Sequence, residues 1–244
     1  SSGQHGLPLG SVRCPVAFAK TDRRQAILDT QNYNPTQGYT QVMAASQQAA
    51  SAQTSFTLDR GEAVPAVVGD PGYFLIIAGL SWSAKDIGKL TGEGPNTFLM
   101  GGGMGGAITM ALGLALAQPE RPVLAVFGDG ECLMNVGSLS TVGFMQPKNL
   151  SMLCVDNGTY GETGSQLTHT ARNADLEIIA QGCGIASTLT VHSEAQYAAA
   201  AALLREDGAP RFVLLRVNDN PPPTYGRNFD AVERKQLFRR HLLS

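Results

Sequence analysis

The sequence predicts an α/β fold, a three-layer doubly wound parallel sheet, on three observations. Short apolar runs suited to strands buried on both faces recur at 73–79 (YFLIIAG), 123–127 (VLAVF), 150–155 (LSMLCV) and 212–217 (FVLLRV). Helix-length segments separate them, so successive strands are joined by crossovers and lie parallel. Glycines cluster at 101–106 (GGGMGG), 128–130 (GDG) and 157–164 (NGTYGETG), as expected where backbone closely approaches a ligand.

The N-terminal residues carry little apolar periodicity. The first 20 contain Gly and Pro and read as irregular; TDRRQAIL, capped by Thr21 or Asp22, and QVMAASQQAASA have the composition of short helices. Residues 107–117 (AITMALGLALA) predict a helix that follows the glycine run and is stopped by QPERP. Residues 133–145 predict a helix with Leu133, Val136, Leu139 and Val142 on one side, ended by Pro147. Further helices are expected at 174–182 and 194–206, with a short strand at 187–191. The final helix, at 230–243, takes Val232, Leu237 and Leu242 as its apolar positions. We therefore expect an arm over 1–60, a ligand-binding domain over 61–220 and a helical tail over 221–244, with Pro221-Pro222-Pro223 marking the last boundary.

Composition excludes several classes. Of 244 residues, 43% are hydrophobic and 16% charged, a core-forming balance that rules out wholesale disorder. The formal charge is −2 with no basic block, which argues against nucleic-acid binding. No apolar stretch reaches the ~18 residues of a membrane span, and no secretory leader is visible. Cys14, Cys132, Cys154 and Cys183 are far apart and form no CxxC pair, against a zinc knuckle or an iron–sulfur cluster. Cys132 and Cys154 read as core thiols, which suits a reducing compartment, so a cytoplasmic location is expected.

The chemistry concentrates at two consecutive strand ends. One closes on Gly128-Asp129-Gly130, the other on Asp156-Asn157-Gly158. In open parallel sheets, ligands sit beyond the carboxyl ends of the strands, where strand order reverses. If these strands are neighbours, Asp129 and Asn157 project into one crevice. A carboxylate and an amide oxygen are hard donors suited to Mg²⁺, which often completes its shell with phosphate oxygens. Free glycine N–H groups and the following helix's positive end then favour a diphosphate.

The segment GDGECLMNVGSLSTVGFMQPKNLSMLCVDN resembles the thiamine diphosphate signature. Upstream, GGGMGG leading into an apolar helix is similar to the cofactor-binding (PP) domain of 2-oxo acid decarboxylases and acetolactate synthase relatives. Downstream, DNGTYGETGSQLTHT is similar to the sulfopyruvate and phosphonopyruvate decarboxylase group, and the resemblance covers roughly residues 73–217. It implies a bound thiamine diphosphate with Mg²⁺. By this resemblance Asp129, Asn157 and the Thr159 backbone carbonyl are the metal ligands. Gly128 opens the signature, Gly130 and Glu131 sit where the family contacts the diphosphate, and Gly161 and Glu162 flank it. Met104 matches the apolar wedge that bends the cofactor, and Gly102 the carbonyl that accepts from its aminopyrimidine. The bend brings the cofactor's own amino group to the carbon that must lose a proton. Most relatives carry Ser or Ala at position 131; a glutamate there would repel phosphate unless it points away. Tyr160 either lines the pocket or packs under the loop. His169 either faces the substrate, binding acid or moving a proton, or is a solvated histidine, and Glu162 shares the catalytic candidacy.

The resemblance also implies a missing part. Family enzymes use a glutamate from a separate PYR domain, and residues 1–72 are too short and too polar to form one. The expected partner is therefore a PYR-domain subunit in a homo- or hetero-oligomer, and the expected substrate is a small 2-oxo acid. Alternatives are a 2-oxo acid:ferredoxin oxidoreductase β-like subunit, whose loop shares the YG-x-TG-x-Q pattern, an acetolactate-type carboligase, or a non-catalytic scaffold subunit.

Overall fold

The computed structural model describes residues 56–244; the two short helices expected before residue 56 and Cys14 lie outside them. The chain runs α1 (Arg60–Val68), β1 (Leu75–Ala78), α2 (Trp82–Thr91), β2 (Thr97–Leu99), α3 (Ala107–Ala117), β3 (Val123–Gly128), α4 (Asp129–Met134), α5 (Gly137–Met145) and β4 (Leu150–Asp156). It continues through β5 (Thr159–Tyr160), β6 (Gln166–Leu167), α6 (Leu176–Gly182), β7 (Ser187–Val191), α7 (Tyr197–Leu203), β8 (Arg211–Arg216) and α8 (Ala231–Leu243). Six strands form one parallel sheet in the order β2-β1-β3-β4-β8-β7, and β5 and β6 make a separate antiparallel hairpin.

Alternation along the strands builds two cores. Leu75, Ile77, Ala125, Phe127, Met152 and Cys154 face one side with α3, α5 and α6. Ile76, Ala78, Leu124, Val126, Leu153 and Val155 face the other with α1, α2 and α7. Both faces are covered, which is why these strands are apolar without interruption. The sheet is therefore the middle of three layers, as the sequence predicts.

Strand order reverses between β1 and β3, since β2 follows β1 on one side and β3 lies on the other. Gly128 pairs with Val155, so Asp129 and the Asp156-Asn157 pair leave the sheet at the same level. That register places the two strand ends beside the crevice at the switch point.

Several local expectations are corrected. The helix expected at 133–145 is two helices: α4 starts at Asp129, and the break falls at Asn135, whose side-chain amide donates to the Gly105 carbonyl at 2.9 Å. The helix expected at 194–206 is a short turn, Glu194–Gln196, followed by α7. Helices α1 and α2 and strand β2 were not foreseen. The C-terminal helix buries Phe238, 7% exposed, and not Val232, 68% exposed. Five-residue steps from Val232 to Leu237 to Leu242 rotate away from one face, whereas Arg234 and Phe238, four apart, share it. Arg234 pairs with buried Glu93 at 3.1 Å and donates to the Thr97 carbonyl at 3.0 Å, which fastens α8 beside β2.

Phe238→Ala is expected to destabilise the chain by about 3 kcal/mol, and Val232→Ala by less than ~0.5 kcal/mol. Urea unfolding of the two variants checks the difference.

Candidate functional site

A cavity of about 580 Å³ opens at the switch point. Its wall includes Gly128, Asp129, Gly130 and Glu131 from the end of β3, and Asn157, Thr159, Tyr160, Gly161 and Glu162 beyond β4. Met104 joins from the glycine-rich loop, where Gly101, and not Gly102, lines the cavity. His169 is exposed and outside that wall; its neighbours Thr168 and Thr170 are the buried members of the segment. The structure thus gathers ten of the sequence-derived site residues and leaves out Gly102 and His169.

Asp129 is the most constrained of them. It is buried as the first residue of α4, and its Oδ2 accepts from Thr168 Oγ1 at 2.5 Å and Thr170 Oγ1 at 3.1 Å. Thr170 Oγ1 also lies 2.8 Å from Asp156 Oδ1, which accepts the Gly158 N–H at 2.9 Å. Arg216 Nη1 meets Asp156 Oδ2 at 2.8 Å. Two buried carboxylates are therefore bridged by Thr170, and one guanidinium answers Asp156. Burial first, and then the neighbouring Asp156 charge, push the Asp129 carboxyl up to about 7, against the two threonine hydroxyls that favour its ionised form. Asp156 is also raised by burial, with Arg216 opposing. Asp156, Thr168, Thr170 and Arg216 were missed from the sequence; only the polar THT triplet after the loop hinted at them.

Asn157 sits in a second cluster. Its Nδ2 donates to Thr159 Oγ1 and to Asp219 Oδ1, each at 2.7 Å, and Thr159 Oγ1 donates to Asp219 Oδ1 at 2.6 Å.

The Glu131 carboxylate is engaged by main-chain groups of two loops. Its Oε2 accepts the Leu80 N–H at 3.1 Å and its Oε1 the Gly105 N–H at 3.3 Å. A Cβ at Gly79 would come 1.8 Å from Oε2, so this contact requires glycine after β1. Burial raises the Glu131 carboxyl, and these N–H groups pull the other way. Together with Asn135, which holds the Gly105 carbonyl, Glu131 clamps both peptide groups flanking Gly105 from one helix.

Trp82, Tyr160 and Phe229 add aromatic surface to the wall. Tyr160 packs over Gly130, where a Cβ would lie 2.4 Å from the ring, and Trp82 covers Gly161 at the same distance. Tyr160 thus both lines the cavity and packs. Arg60 stacks over Trp82 at 4.8 Å and binds Asp86 through Nε at 3.1 Å and Nη2 at 2.5 Å, which secures the floor.

The donor set suits a hard divalent cation. Among the described residues no three His, Cys, Asp or Glu side chains converge. A cation here would therefore draw on Asp129 with the Asn157 amide oxygen and a main-chain carbonyl. The buried negative charge around Asp129 and Asp156 is what such an ion would offset.

Two expectations follow. In cation-free protein the Asp129 carboxyl is raised from 3.8 to about 7. The folded state therefore holds this proton more tightly than the unfolded chain, and the stability it contributes is full below about pH 4 and lost by about pH 7. Wild type should lose thermal stability relative to Asp129→Asn across that interval, and parallel melting curves would contradict the assignment. Glu131→Ala should speed amide hydrogen exchange at Gly105 about ten- to hundredfold, with Glu131→Gln intermediate, as loss of a charge-assisted hydrogen bond requires.

Comparison with known proteins places the chain in a family. The family model described as thiamine pyrophosphate enzyme, C-terminal TPP binding domain, matches residues 86–217. Sulfopyruvate decarboxylase subunit beta of Methanocaldococcus jannaschii is 43% identical over 119 residues, 49% of this chain and 62% of that protein. The subunit of the same name from Methanococcus maripaludis is 35% identical over 151 residues, 61% of this chain and 80% of that protein. A solved structure of a putative thiamin diphosphate-dependent enzyme from Mycobacterium smegmatis shares the fold, with a TM-score of 0.55 at 22% identity over 69% of this chain and 33% of that one. With a family match over more than half its length, at the segment that carries the cavity, the chain belongs to the thiamine pyrophosphate enzymes through their C-terminal TPP-binding domain.

Proposed function

We propose that this chain is the cofactor-binding subunit of a thiamine diphosphate-dependent decarboxylase that acts on a small 2-oxo acid with an anionic, sulfonate- or phosphonate-like tail. One observation carries the reading: Asp129 and Asn157, on adjoining strand ends, line a single cavity at the switch point together with Met104. Mg²⁺ would be held by the Asp129 carboxylate, the Asn157 amide oxygen and the Thr159 carbonyl. Gly128, Gly130 and Gly161 keep side chains out of the diphosphate's path, while Met104 supplies the apolar wedge and the Gly102 carbonyl an acceptor. When bound, thiamine diphosphate supplies the electron sink for loss of carbon dioxide.

Lys85 and Arg227 support the anionic tail. Both are half-buried in the cavity wall, and neither forms an ion pair among the described residues, unlike Arg60. Of the two candidates for proton transfer, Glu162 lines the cavity and His169 does not, so we assign that role to Glu162. Aromatic and apolar walls limit water around the reacting carbon.

The activating glutamate is proposed to come from a PYR-domain partner. Exposed apolar side chains support such a docking face: Met104 and Met134 at the cavity, and Phe144, 86% exposed, on α5. The subunit naming of the methanogen relatives points the same way.

Calorimetry with thiamine diphosphate and Mg²⁺ tests the site. Binding should weaken by at least ~100-fold in Asp129→Ala, beyond the range for residues that only support a ligand. Carbon dioxide release from a sulfonated or phosphonated 2-oxo acid should need a co-expressed PYR subunit. Full turnover by this chain alone would overturn the split-subunit reading.

A further inference from the structure

An asparagine can offer a cation only its amide oxygen, and the NH₂ end of the same planar group is useless for the purpose. Something must therefore decide which end of Asn157 would face a cation, and Asp219, just outside the family match, is bonded to that amide. The backbone after β8 is pinned by Val217 N–H to the Asp156 carbonyl at 2.9 Å and Asn218 N–H to the Leu58 carbonyl at 2.8 Å. Asp219 follows directly and reaches the Asn157–Thr159 pair.

The hydrogen-bond directions in this triangle have one consistent solution. An ionised carboxylate only accepts. The single Thr159 hydroxyl proton goes to Asp219 Oδ1, at 2.6 Å. The Thr159 oxygen is then left as an acceptor, at 2.7 Å from Asn157 Nδ2. Asp219 Oδ1 is a second acceptor on the same nitrogen, also at 2.7 Å. Both require N–H, so the NH₂ end is held here and the amide oxygen is turned the other way. Without Asp219 the Thr159 hydroxyl is free to donate to the amide oxygen, which favours the flipped Asn157 with its NH₂ end toward the cation and leaves only a small fraction of the side chain in the ligating orientation.

We propose that Asp219 is a positioning residue that sets the Asn157 amide with its oxygen toward the divalent cation, acting through Thr159 and Asn157 and not by touching the metal. The inference rests on the Mg²⁺ site proposed above and adds the group that orients it.

The test titrates Mn²⁺ into the full chain with thiamine diphosphate, read by electron paramagnetic resonance, so no turnover is needed. Asp219→Asn and Asp219→Ala are expected to weaken Mn²⁺ binding about ten- to hundredfold, the usual cost of losing a group that orients a ligand. Thermal stability of the cation-free chain should be unchanged, since Asp219 is exposed. Asn157→Asp supplies the diagnostic background: both ends of that side chain are oxygens, so orientation no longer matters, and Asp219→Asn, which there also removes a facing carboxylate, should not weaken Mn²⁺ binding. Unchanged affinity in the single variants overturns the proposal, as does an equal loss in both backgrounds, which would mean a general charge or folding effect. Failure of wild type to bind Mn²⁺ overturns the metal site itself, and with it this inference. Wild-type binding with indifferent Asp219 variants sinks the inference alone.

Discussion

A carboxylate buried beside another carboxylate is the constraint around which the site is arranged. Asp129 is nearly sealed from solvent, with Asp156 joined to it through Thr170. Such a pair persists in a low-dielectric setting only when its oxygens are hydrogen-bonded and part of its charge is answered. Thr168, Thr170, the Gly158 N–H and Arg216 meet most of that need. The remaining negative charge lies at the cavity, where a hard cation would complete the balance.

Helix α4 links this centre to the opposite wall. Its first residue is Asp129, Glu131 reaches the loops after β1 and around Gly105, and Asn135 at its end takes the Gly105 carbonyl. The glycine-rich loop that carries Met104 is thus fastened to the helix that begins with Asp129. The two walls are thus joined through two side chains a single helical turn apart. The glutamate at 131 acts as a clamp between these two loops.

The segment after β8 closes the assembly. Asp219 meets the Asn157 cluster, Arg227 donates to the Leu99 and Met100 carbonyls, and Arg234 pairs with Glu93. Three charged side chains spread over the last residues thereby join the end of β4 to the far edge strand β2. The buried Arg234–Glu93 pair and Phe238 keep α8 against the sheet, so the cavity wall at Arg227 and Phe229 has a firm backing.

The sequence by itself determined the parallel α/β class and the two strand ends that carry Asp129 and Asn157. These are local signals: continuous apolar runs of strand length and glycines at their ends. It also marked Met104, Gly130, Glu131 and Gly161, because their motif is contiguous. It overlooked β2, three residues long, and misjudged the face of α8, because neither short strands nor five-residue spacings carry a clear period. Only the tertiary structure decided that Glu131 points at Leu80 and Gly105, that His169 stays outside, and that Thr168, Thr170, Arg216 and Asp219 surround the two ligand candidates. Those partners lie 14 to 62 positions away along the chain from the residues they hold, and hydrogen bonds across such separations exist only once the strands are in register. Motif spacing encodes which residues sit at strand ends; which way each side chain turns depends on neighbours that folding alone supplies.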